Sequence, residues 1–343
     1  MSAAIVTRGS GVEAVHEASV VVVGPGEEPT HAYGDPGLVT FARSTLKPFQ
    51  ALPVVTTGAV AALGLDAEEV AIACASHGGT DRHVSVVRRL LAHAGVGPEA
   101  LACGAHLPIA YRTAGREAKH GEDRDPLRNN CSGKHAGFLC LARWLGAPFD
   151  GYLDPEGPVQ RIVREALTRA TGTDVEAAPR GIDGCSAPNY ALPLEALARA
   201  MLRLVLAERE AGGIQAALAT IRDAMTAHPF LVASEKRFDY DLMCTFPGNA
   251  VSKAGAEALQ LFAFREPPLA VAVKIHDGGG RALGPVCLAV LRQLGIVGER
   301  PPEALVRYDR PQVTNHRGIV TGEIVATLEL AKAGASTGSA ERG

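Results

Sequence analysis

Apolar residues follow two different periods along the chain. Near both ends they form short runs, rich in β-branched residues and bounded by glycine or proline, which is typical of β-strands. These runs are ASVVVVG (18–24), GLVTFAR (37–43), PLAVAVKIHDGG (268–279) and GIVTGEIVATLEL (318–330). Between them, apolar residues recur at helical spacing in the ranges 47–65, 83–95, 134–146, 158–172 and 193–210. The pattern predicts strands at the two ends and helices in the middle.

This distribution of elements predicts the fold class. Strands from both ends of a chain with helices between them favour one sheet covered by helices, so we expect the α/β class. We expect a single α/β domain over residues 1–330, with a helical subdomain at roughly 47–245. Residues 331–343 are mostly small or polar, and we expect them to form a disordered tail.

Composition narrows the class of partner. The chain has 343 residues, 47% of them hydrophobic, which is ample for a buried core. Its 34 basic and 37 acidic residues are dispersed, giving a net charge of -3, which disfavours nucleic acid and favours a small-molecule partner. No signal-peptide core and no membrane-length apolar run is present, so we expect a cytoplasmic protein without membrane contact. The seven cysteines include no CxxC pair, which favours reduced thiols or metal ligands over disulfides.

The stretch RSTLKPFQ (43–50) is the first candidate for chemistry. Ser44 and Lys47 are three residues apart and share one face of a helical turn, so a neutral lysine could accept the serine proton. Pro48 suits a first helical turn, so we expect a helix to begin near Ser44 or Thr45, with its positive end favouring an anion. An isolated S-x-x-K also arises by chance, and a simple N-cap role for Ser44 remains the alternative.

Two further stretches carry a serine and a lysine. In AIACASHGGTDRH (71–83) an apolar run, interpreted as a strand, ends at Ser76 before a Gly-rich loop. Strand ends that open into such loops are where α/β proteins often place sites, although a tight turn is the alternative. NAVSKAGAEAL (249–259) is strand-like and contains Lys253 in K-A-G. Penicillin-recognising serine hydrolases combine an early S-x-x-K with a late K-[ST]-G strand, from which this chain departs at the middle residue. Lys274, in KIHDGGG (274–280), competes for the same role.

The stretch RNNCSGKHAGF (128–138) is the most unusual. It does not fit a phosphate loop, because Arg128 stands where glycine is needed and His135 where serine or threonine is needed. Cys131, Lys134 and His135 instead cluster at the start of an apolar helix. Thiolates and imidazole are soft zinc ligands, so the stretch indicates part of a metal site.

A second loop offers a partner for that cluster. Cys185 lies in GIDGCSAPNY (181–190), two residues after Asp183. For each cysteine taken alone, the alternative is a small buried apolar residue.

Six stretches taken together resemble the L-asparaginase II family of the rhizobial type, in its order over about residues 8–330. They are RSTLKPFQ, CASHGG, NNCSGKHAGF, DGCSAPNY, SKAGAEAL and AVKIHDGG. NNCSGKHAG combined with DGCSAP is highly specific to this family. The resemblance implies a fold similar to serine glutaminases and serine β-lactamases and hydrolysis of L-asparagine to L-aspartate and ammonia. It also implies a homodimer and a zinc ion near the active site.

The resemblance also implies roles for individual residues. It implies two catalytic pairs, which are Ser44 with Lys47 and Ser76 with Lys253. The implied zinc ligands are Cys131, Lys134 and Cys185. The implied substrate contacts are Arg43, His135 and Asp183. The chain departs from the family pattern at SHSGE, which reads SHGGT here, and at GAEG, which reads GAEA.

Three questions stay open at the level of sequence. They are which serine attacks the substrate, whether Lys253 or Lys274 serves Ser76, and whether asparagine or glutamine is preferred, because one methylene is worth only about 1–3 kcal/mol in a pocket. A zinc-dependent binding or sensor protein is the alternative from another class. The intact Ser44 and Lys47 favour an enzyme.

Overall fold

Strands from both ends of the chain lie side by side in one sheet. The computed structural model describes residues 2–114 and 121–333. In chain order its strands are β1 (Ser2–Arg8), β2 (Gly11–Val23), β3 (Pro29–Tyr33), β4 (Val39–Phe41), β5 (Arg180–Ile182), β6 (Pro188–Pro193), β7 (Ala250–Gly255), β8 (Leu259–Phe264), β9 (Leu269–Ile275), β10 (Gln312–Thr314), β11 (Val320–Ala326) and β12 (Ala331–Lys332).

The main sheet has the order β10-β11-β1-β2-β9-β8-β7, and β3 pairs with both β2 and β12. Its strand pairs are antiparallel. A small second sheet has the order β4-β6-β5. The predicted α/β class, with a sheet built from N- and C-terminal strands, is confirmed.

Most helices lie, in sequence, between the N-terminal strands β1 to β4 and the C-terminal strands β7 to β12. They are α1 (Lys47–Gln50), α2 (Leu52–Thr56), α3 (Ala59–Leu63), α4 (Ala67–Ala73), α5 (Asp81–Ala94), α6 (Ile109–Thr113), α7 (Ser132–Leu145), α8 (Pro158–Thr171), α9 (Leu194–Leu206), α10 (Gly213–Ala227), α11 (Pro229–Val232), α12 (Phe238–Thr245) and α13 (Gly280–Gln293). Short 3₁₀ turns occupy Arg43–Leu46, Pro98–Ala100, Glu122–Arg124, Pro126–Arg128, Arg209–Ala211 and Glu303–Tyr308.

The sheet separates two apolar cores. Alternate side chains of a strand point to opposite faces, and β2 accordingly contributes Val21 and Val23 to one core and Val20 and Val22 to the other. Helix α9 packs on the first face against β2, β8 and β9, and α13 packs on the second face against β1, β9 and β11. The larger core also contains α4 and α7, the two helices that lead into the site described below.

Local sequence explains where the elements differ from the predicted ones. The apolar run before Ser76 is the helix α4 rather than a strand, because Asp66 and Glu69 form a capping box that starts a helix there. The helix predicted over 47–65 is divided into α1, α2 and α3. Pro48 and Pro53 each stand in a new first turn.

Two further expectations are corrected. Ser44 lies inside the 3₁₀ turn Arg43–Leu46, whose N-cap is Ala42, so Ser44 is not an N-cap and α1 begins only at Lys47. Within the segment predicted to be disordered from residue 331, Ala331 and Lys332 pair with Ala32 and His31 of β3. Residues 334–343 of that predicted tail lie outside the described residues.

In the described ranges, no helix combines the length and the apolar character needed to cross a membrane.

Candidate active site

Ser76 lies just after α4, which ends at Ala73. Its backbone N–H donates to the Val232 carbonyl at 2.9 Å, and the residue is only 3% exposed. The chain then passes through Gly79, which has a φ of +74° and would place a Cβ 2.5 Å from the Arg128 carbonyl oxygen. Glycine is needed there for both reasons, and the tight turn holds Ser76 against its neighbours.

Two lysine amines converge on the Ser76 hydroxyl. Lys253 Nζ, from β7, lies 2.8 Å from Ser76 Oγ, and Lys47 Nζ, from α1, lies 3.1 Å from the same atom. Both lysines have no exposed surface. Lys47 Nζ also donates to the carbonyls of Ala75 at 2.6 Å and Asn130 at 3.1 Å. The structure thus brings Ser76, Lys47 and Lys253 together from three distant parts of the sequence.

Burial favours the neutral form of the Lys253 amine. It lowers the pKa of Lys253 to about 7, against an opposing effect of Asp239 and with a further lowering by Lys47 and Arg237. Burial also lowers the pKa of Lys47. Two ammonium groups sharing one hydroxyl repel each other, so the arrangement favours a neutral amine on Ser76 near neutral pH.

The pairing differs from the one that the family resemblance implies for Lys47. Lys47 Nζ hydrogen-bonds with Ser76, whereas Ser44 is half-buried and its hydroxyl makes no hydrogen bond within the described residues. Lys274 does not reach Ser76 either, because its amine donates to the carbonyls of Glu257 at 2.5 Å and Ile275 at 2.7 Å. Of the two candidate lysines, Lys253 is the one in contact with Ser76.

Arg43 and Asp183 form an ion pair beside this centre. Arg43 Nε donates to Asp183 Oδ1 at 2.8 Å, and the Arg43 backbone N–H donates to Asn189 Oδ1 at 3.0 Å. Arg43 has a φ of +51°, an uncommon conformation for a side chain of this size. Burial raises the pKa of Asp183. The nearby positive charges of Lys134 and Arg43 lower it by more, so the net shift is downward. A charged carboxylate and a charged guanidinium are thus fixed next to each other.

The cysteines of the two unusual loops also meet. The thiol of Cys185 donates a hydrogen bond to Cys131, which holds the pKa of Cys131 well below its usual value, and the nearby Lys47 and Lys134 lower it further. Lys134 Nζ lies 3.2 Å from Cys185 Sγ. Burial lowers the pKa of Lys134, but Cys185 and Cys131 raise it more, and the net shift is upward. All seven cysteines are free thiols.

This cluster matches the donor set of a zinc site. It presents two sulfur atoms and one amine, and His135 adds an imidazole whose Nε2 is buried without a hydrogen-bond partner, while its Nδ1 lies 2.7 Å from the Tyr152 hydroxyl. Soft sulfur and nitrogen donors suit Zn²⁺. In the described part of the chain, no three His, Cys, Asp or Glu side chains are placed to bind a metal by themselves, so a metal bound here would require Lys134 as a third donor.

A cleft of about 540 Å³ opens beside Arg43. Its lining includes Phe41, Asn189, Glu257 and Lys274, but it does not include Ser76, Lys47 or Lys253. Arg43 thus lines the open cleft while its guanidinium is paired with Asp183.

Some residues around the site escaped the sequence analysis. Arg237 donates to the Ser76 carbonyl and to the Ala233 carbonyl, and Asp239 accepts a hydrogen bond from the Ala254 N–H at 2.9 Å. Both belong to the stretch SEKRFDYD, which has no motif spacing that would single them out. Asn189 stood in a quoted motif, but only its contact with the Arg43 backbone gives it a role.

Comparison with known proteins places the chain in a family. Among solved structures, a β-lactamase from Mycobacterium bovis is similar over 80% of this chain and 94% of its own, with 16% sequence identity and a TM-score of 0.33. No curated protein sequence matches the chain. The family model described as L-asparaginase II matches residues 4–326, nearly the whole length. The chain therefore belongs to the L-asparaginase II family.

Proposed function

We propose that this amidohydrolase converts L-asparagine to L-aspartate and ammonia with Ser76 as its nucleophile. The observation that supports this role is the Ser76 hydroxyl held between Lys253 Nζ at 2.8 Å and Lys47 Nζ at 3.1 Å. An amide hydrolase needs a nucleophile, a base that removes its proton and an acid that protonates the leaving amine. Ser76 and Lys253 supply these functions.

The proposed reaction has two steps. Neutral Lys253 accepts the Ser76 proton while Oγ attacks the amide carbon, and the resulting ammonium protonates the departing nitrogen, which leaves as ammonia. Water then hydrolyses the Ser76 ester, with Lys253 accepting its proton, and regenerates the hydroxyl. Lys47 faces three oxygen acceptors, Ser76 Oγ and the carbonyls of Ala75 and Asn130, which fixes its amine beside the reacting atoms.

Substrate recognition is assigned to the ion pair at the cleft. An α-amino acid carries a carboxylate, which Arg43 binds through its planar guanidinium, and an ammonium group, which Asp183 binds. In the structure these two side chains neutralise each other at 2.8 Å. A zwitterion replaces that interaction with two complementary ones, whereas a simple amide does not. His135, fully buried beside the cysteine cluster, is proposed as a further contact.

Zinc is part of the proposal. Cys131, Lys134 and Cys185 would hold the ion, and His135 lies beside them. When bound, the ion supplies a positive charge that orients the substrate. Since Lys134 is protonated in the absence of a metal, it must release a proton before it can act as a ligand.

The zinc proposal is tested by metal analysis and by kinetics on chelated protein and on Cys131→Ser. We expect KM for asparagine to rise with a smaller change in kcat, because the ion orients the loop that carries Asp183. A fall of kcat to the uncatalysed rate with unchanged affinity would contradict a positioning role.

The decisive experiment for the proposed function is ammonia release with asparagine, glutamine and a β-lactam under identical conditions. We expect hydrolysis of asparagine, and of glutamine at a lower kcat/KM. Preference for glutamine would keep the chemistry and change the substrate, while inactivity towards all three compounds would overturn the proposal. The expected homodimer is also part of it, and light scattering of the purified protein tests that state.

A further inference from the structure

Arg237 and Asp239 close a ring of hydrogen bonds around the reacting pair. Arg237 Nη1 donates to the Ser76 carbonyl, and Ser76 Oγ lies 2.8 Å from Lys253 Nζ. Lys253 Nζ also donates to the Ala254 carbonyl at 2.8 Å, and the Ala254 N–H donates to Asp239 Oδ2 at 2.9 Å. Because Arg237 and Asp239 are two residues apart at the start of α12, one short segment contacts both ends of the Ser76–Lys253 pair.

Arg237 makes no direct ion pair among the described residues, and Asp239 is the carboxylate that acts on it electrostatically. The acceptors of the Arg237 guanidinium are the backbone carbonyls of Ser76 and Ala233. Arginine remains protonated even where it is largely buried. The positive charge of Arg237 therefore lies against the backbone carbonyl of Ser76, the proposed nucleophile. There it disfavours a second positive charge on Lys253.

Asp239 supplies the opposite charge from the same segment. It is 1% exposed, and its Oδ1 accepts hydrogen bonds from Ser252 Oγ at 2.8 Å and Gln260 Nε2 at 2.7 Å. With the Ala254 N–H on Oδ2, three donors fix this carboxylate against β7 and β8. Asp239 has no direct hydrogen bond to Lys253. It acts on the amine through the electrostatic field of its carboxylate and by fixing Ala254, whose carbonyl accepts a hydrogen bond from Lys253 Nζ.

We propose that Arg237 and Asp239 are a pair of opposing positioning residues that together set the charge state of Lys253 on Ser76. This inference rests on the proposed function, in which Lys253 acts as a neutral base. The other groups that face Lys253 are Lys47 from α1, Cys74 after α4 and Cys131 before α7. Burial and these neighbours act on the amine in every variant below, whereas Arg237 and Asp239 are changed one at a time.

The test is the pH titration of Lys253, followed by the ¹³Cε signal of labelled lysine, which Lys253→Arg assigns. Arg237→Gln removes the cation, and we expect the Lys253 titration to move up by about one pH unit. Asp239→Asn removes the anion, and we expect a move down of similar size. Arg237→Lys keeps the positive charge and should restore the wild-type midpoint. The acidic limb of kcat/KM should follow each shift.

Two matched controls separate this effect from a loss of stability. Arg222 is an arginine that, like Arg237, donates to backbone carbonyls, those of Val205 and Ala207, although it also pairs with Asp223. Asp241 is a buried aspartate on the same helix as Asp239. Arg222→Gln and Asp241→Asn should lower the melting temperature and leave the Lys253 titration unmoved.

Shifts of the same sign in Arg237→Gln and Asp239→Asn, or no shift in folded variants, would overturn the inference. If Asp239→Asn does not fold, an unmoved titration in Arg237→Gln is sufficient to reject it. If the wild-type protein hydrolyses no amide, the proposed function fails, and the lysine titration still decides the opposing pair.

Discussion

At the scale of single residues, the contacts of Ser76 distinguish the two candidate serines. Ser76→Ala removes the only hydroxyl that both Lys47 and Lys253 contact in the described structure. We expect kcat to fall by about 10⁴-fold or more, as for other nucleophiles that act as part of a unit. Steady-state ammonia release measures it, with melting temperature as the control for folding. Ser44→Ala should lower kcat much less. If Ser44→Ala instead lowered kcat more than Ser76→Ala, the nucleophile would be Ser44.

The residue scale also predicts the pH dependence. The pKa of Lys253 is lowered by burial to about 7, and a base must be deprotonated to act. The neutral fraction of this amine grows from about one tenth to about nine tenths between one unit below and one unit above that value. We expect kcat/KM to rise over the same interval and then to level off. A flat profile between about pH 6 and 8 would contradict a lysine base with this pKa.

At the scale of elements, the close approach of α4 and α7 positions the site. A Cβ on Gly133 would lie 2.2 Å from the Ile72 carbonyl oxygen, whereas a Cβ on Gly137, one turn later, would lie 3.2 Å from the Ala73 Cβ. Gly133→Ala must push the two helices apart and separate the Cys131–Lys134 loop from Ser76. We expect a loss of about 1–3 kcal/mol in the free energy of unfolding, typical of overpacking, together with lower kcat.

Gly137→Ala is the matched control for that substitution. Its closest contact is a methyl group that can move slightly, and alanine favours the helix over glycine by about 1 kcal/mol. Denaturant titration of the two variants should therefore give a clear loss for Gly133→Ala and a small change of either sign for Gly137→Ala. Equal losses of unfolding free energy in the two variants would show that the close approach of α4 to α7 at Gly133 does not determine stability.

How much of the site the sequence predicts depends on how local its signal is. The cysteine loops and Lys253 stand in motifs, and they could be located before the structure. The partner of Lys47 could not, because i, i+3 spacing points to Ser44 while the side chain reaches across the core to Ser76. The run before Ser76 was misassigned because a short apolar helix and a buried strand look alike, and only the Asp66–Glu69 capping box distinguishes them.

At the scale of the whole molecule, the strand that carries Lys253 and the last strands of the chain lie at opposite edges of the main sheet. Lys253 lies on β7, at one edge, and β10 and β11 lie at the opposite edge beside β1. Ending the chain after Asp309 would remove β10, β11 and β12 and expose the edge of β1. It would also remove the buried side chains of Ile324 and Leu328.

We expect the shortened chain to melt several degrees lower, since even about 1 kcal/mol moves the melting temperature of a large domain by roughly 2–4 °C. Below its transition, kcat per folded molecule should remain near that of the full chain. Calorimetry and active-site titration of both chains check this expectation. A kcat that falls in folded protein would show that the far edge contributes to the site.

The whole sheet was predictable in outline because its strands carry strong local patterns at both ends of the sequence. The order of those strands was not, since it depends on pairings such as β2 with β9 that join residues about 250 positions apart. Sequence periodicity identifies the face that a strand buries, but it does not identify the partner strand.

The convergence of Lys47, Ser76 and Lys253 on one hydroxyl has a consequence for biosynthesis. The last of these residues is synthesised only after nearly three quarters of the chain, and β7, which carries it, is held in place by β8 and β9 that follow later still. A chain that ends before β7 therefore lacks Lys253, one of the two amines that contact the Ser76 hydroxyl. Under the proposed mechanism, amide hydrolysis therefore requires that synthesis has passed β7.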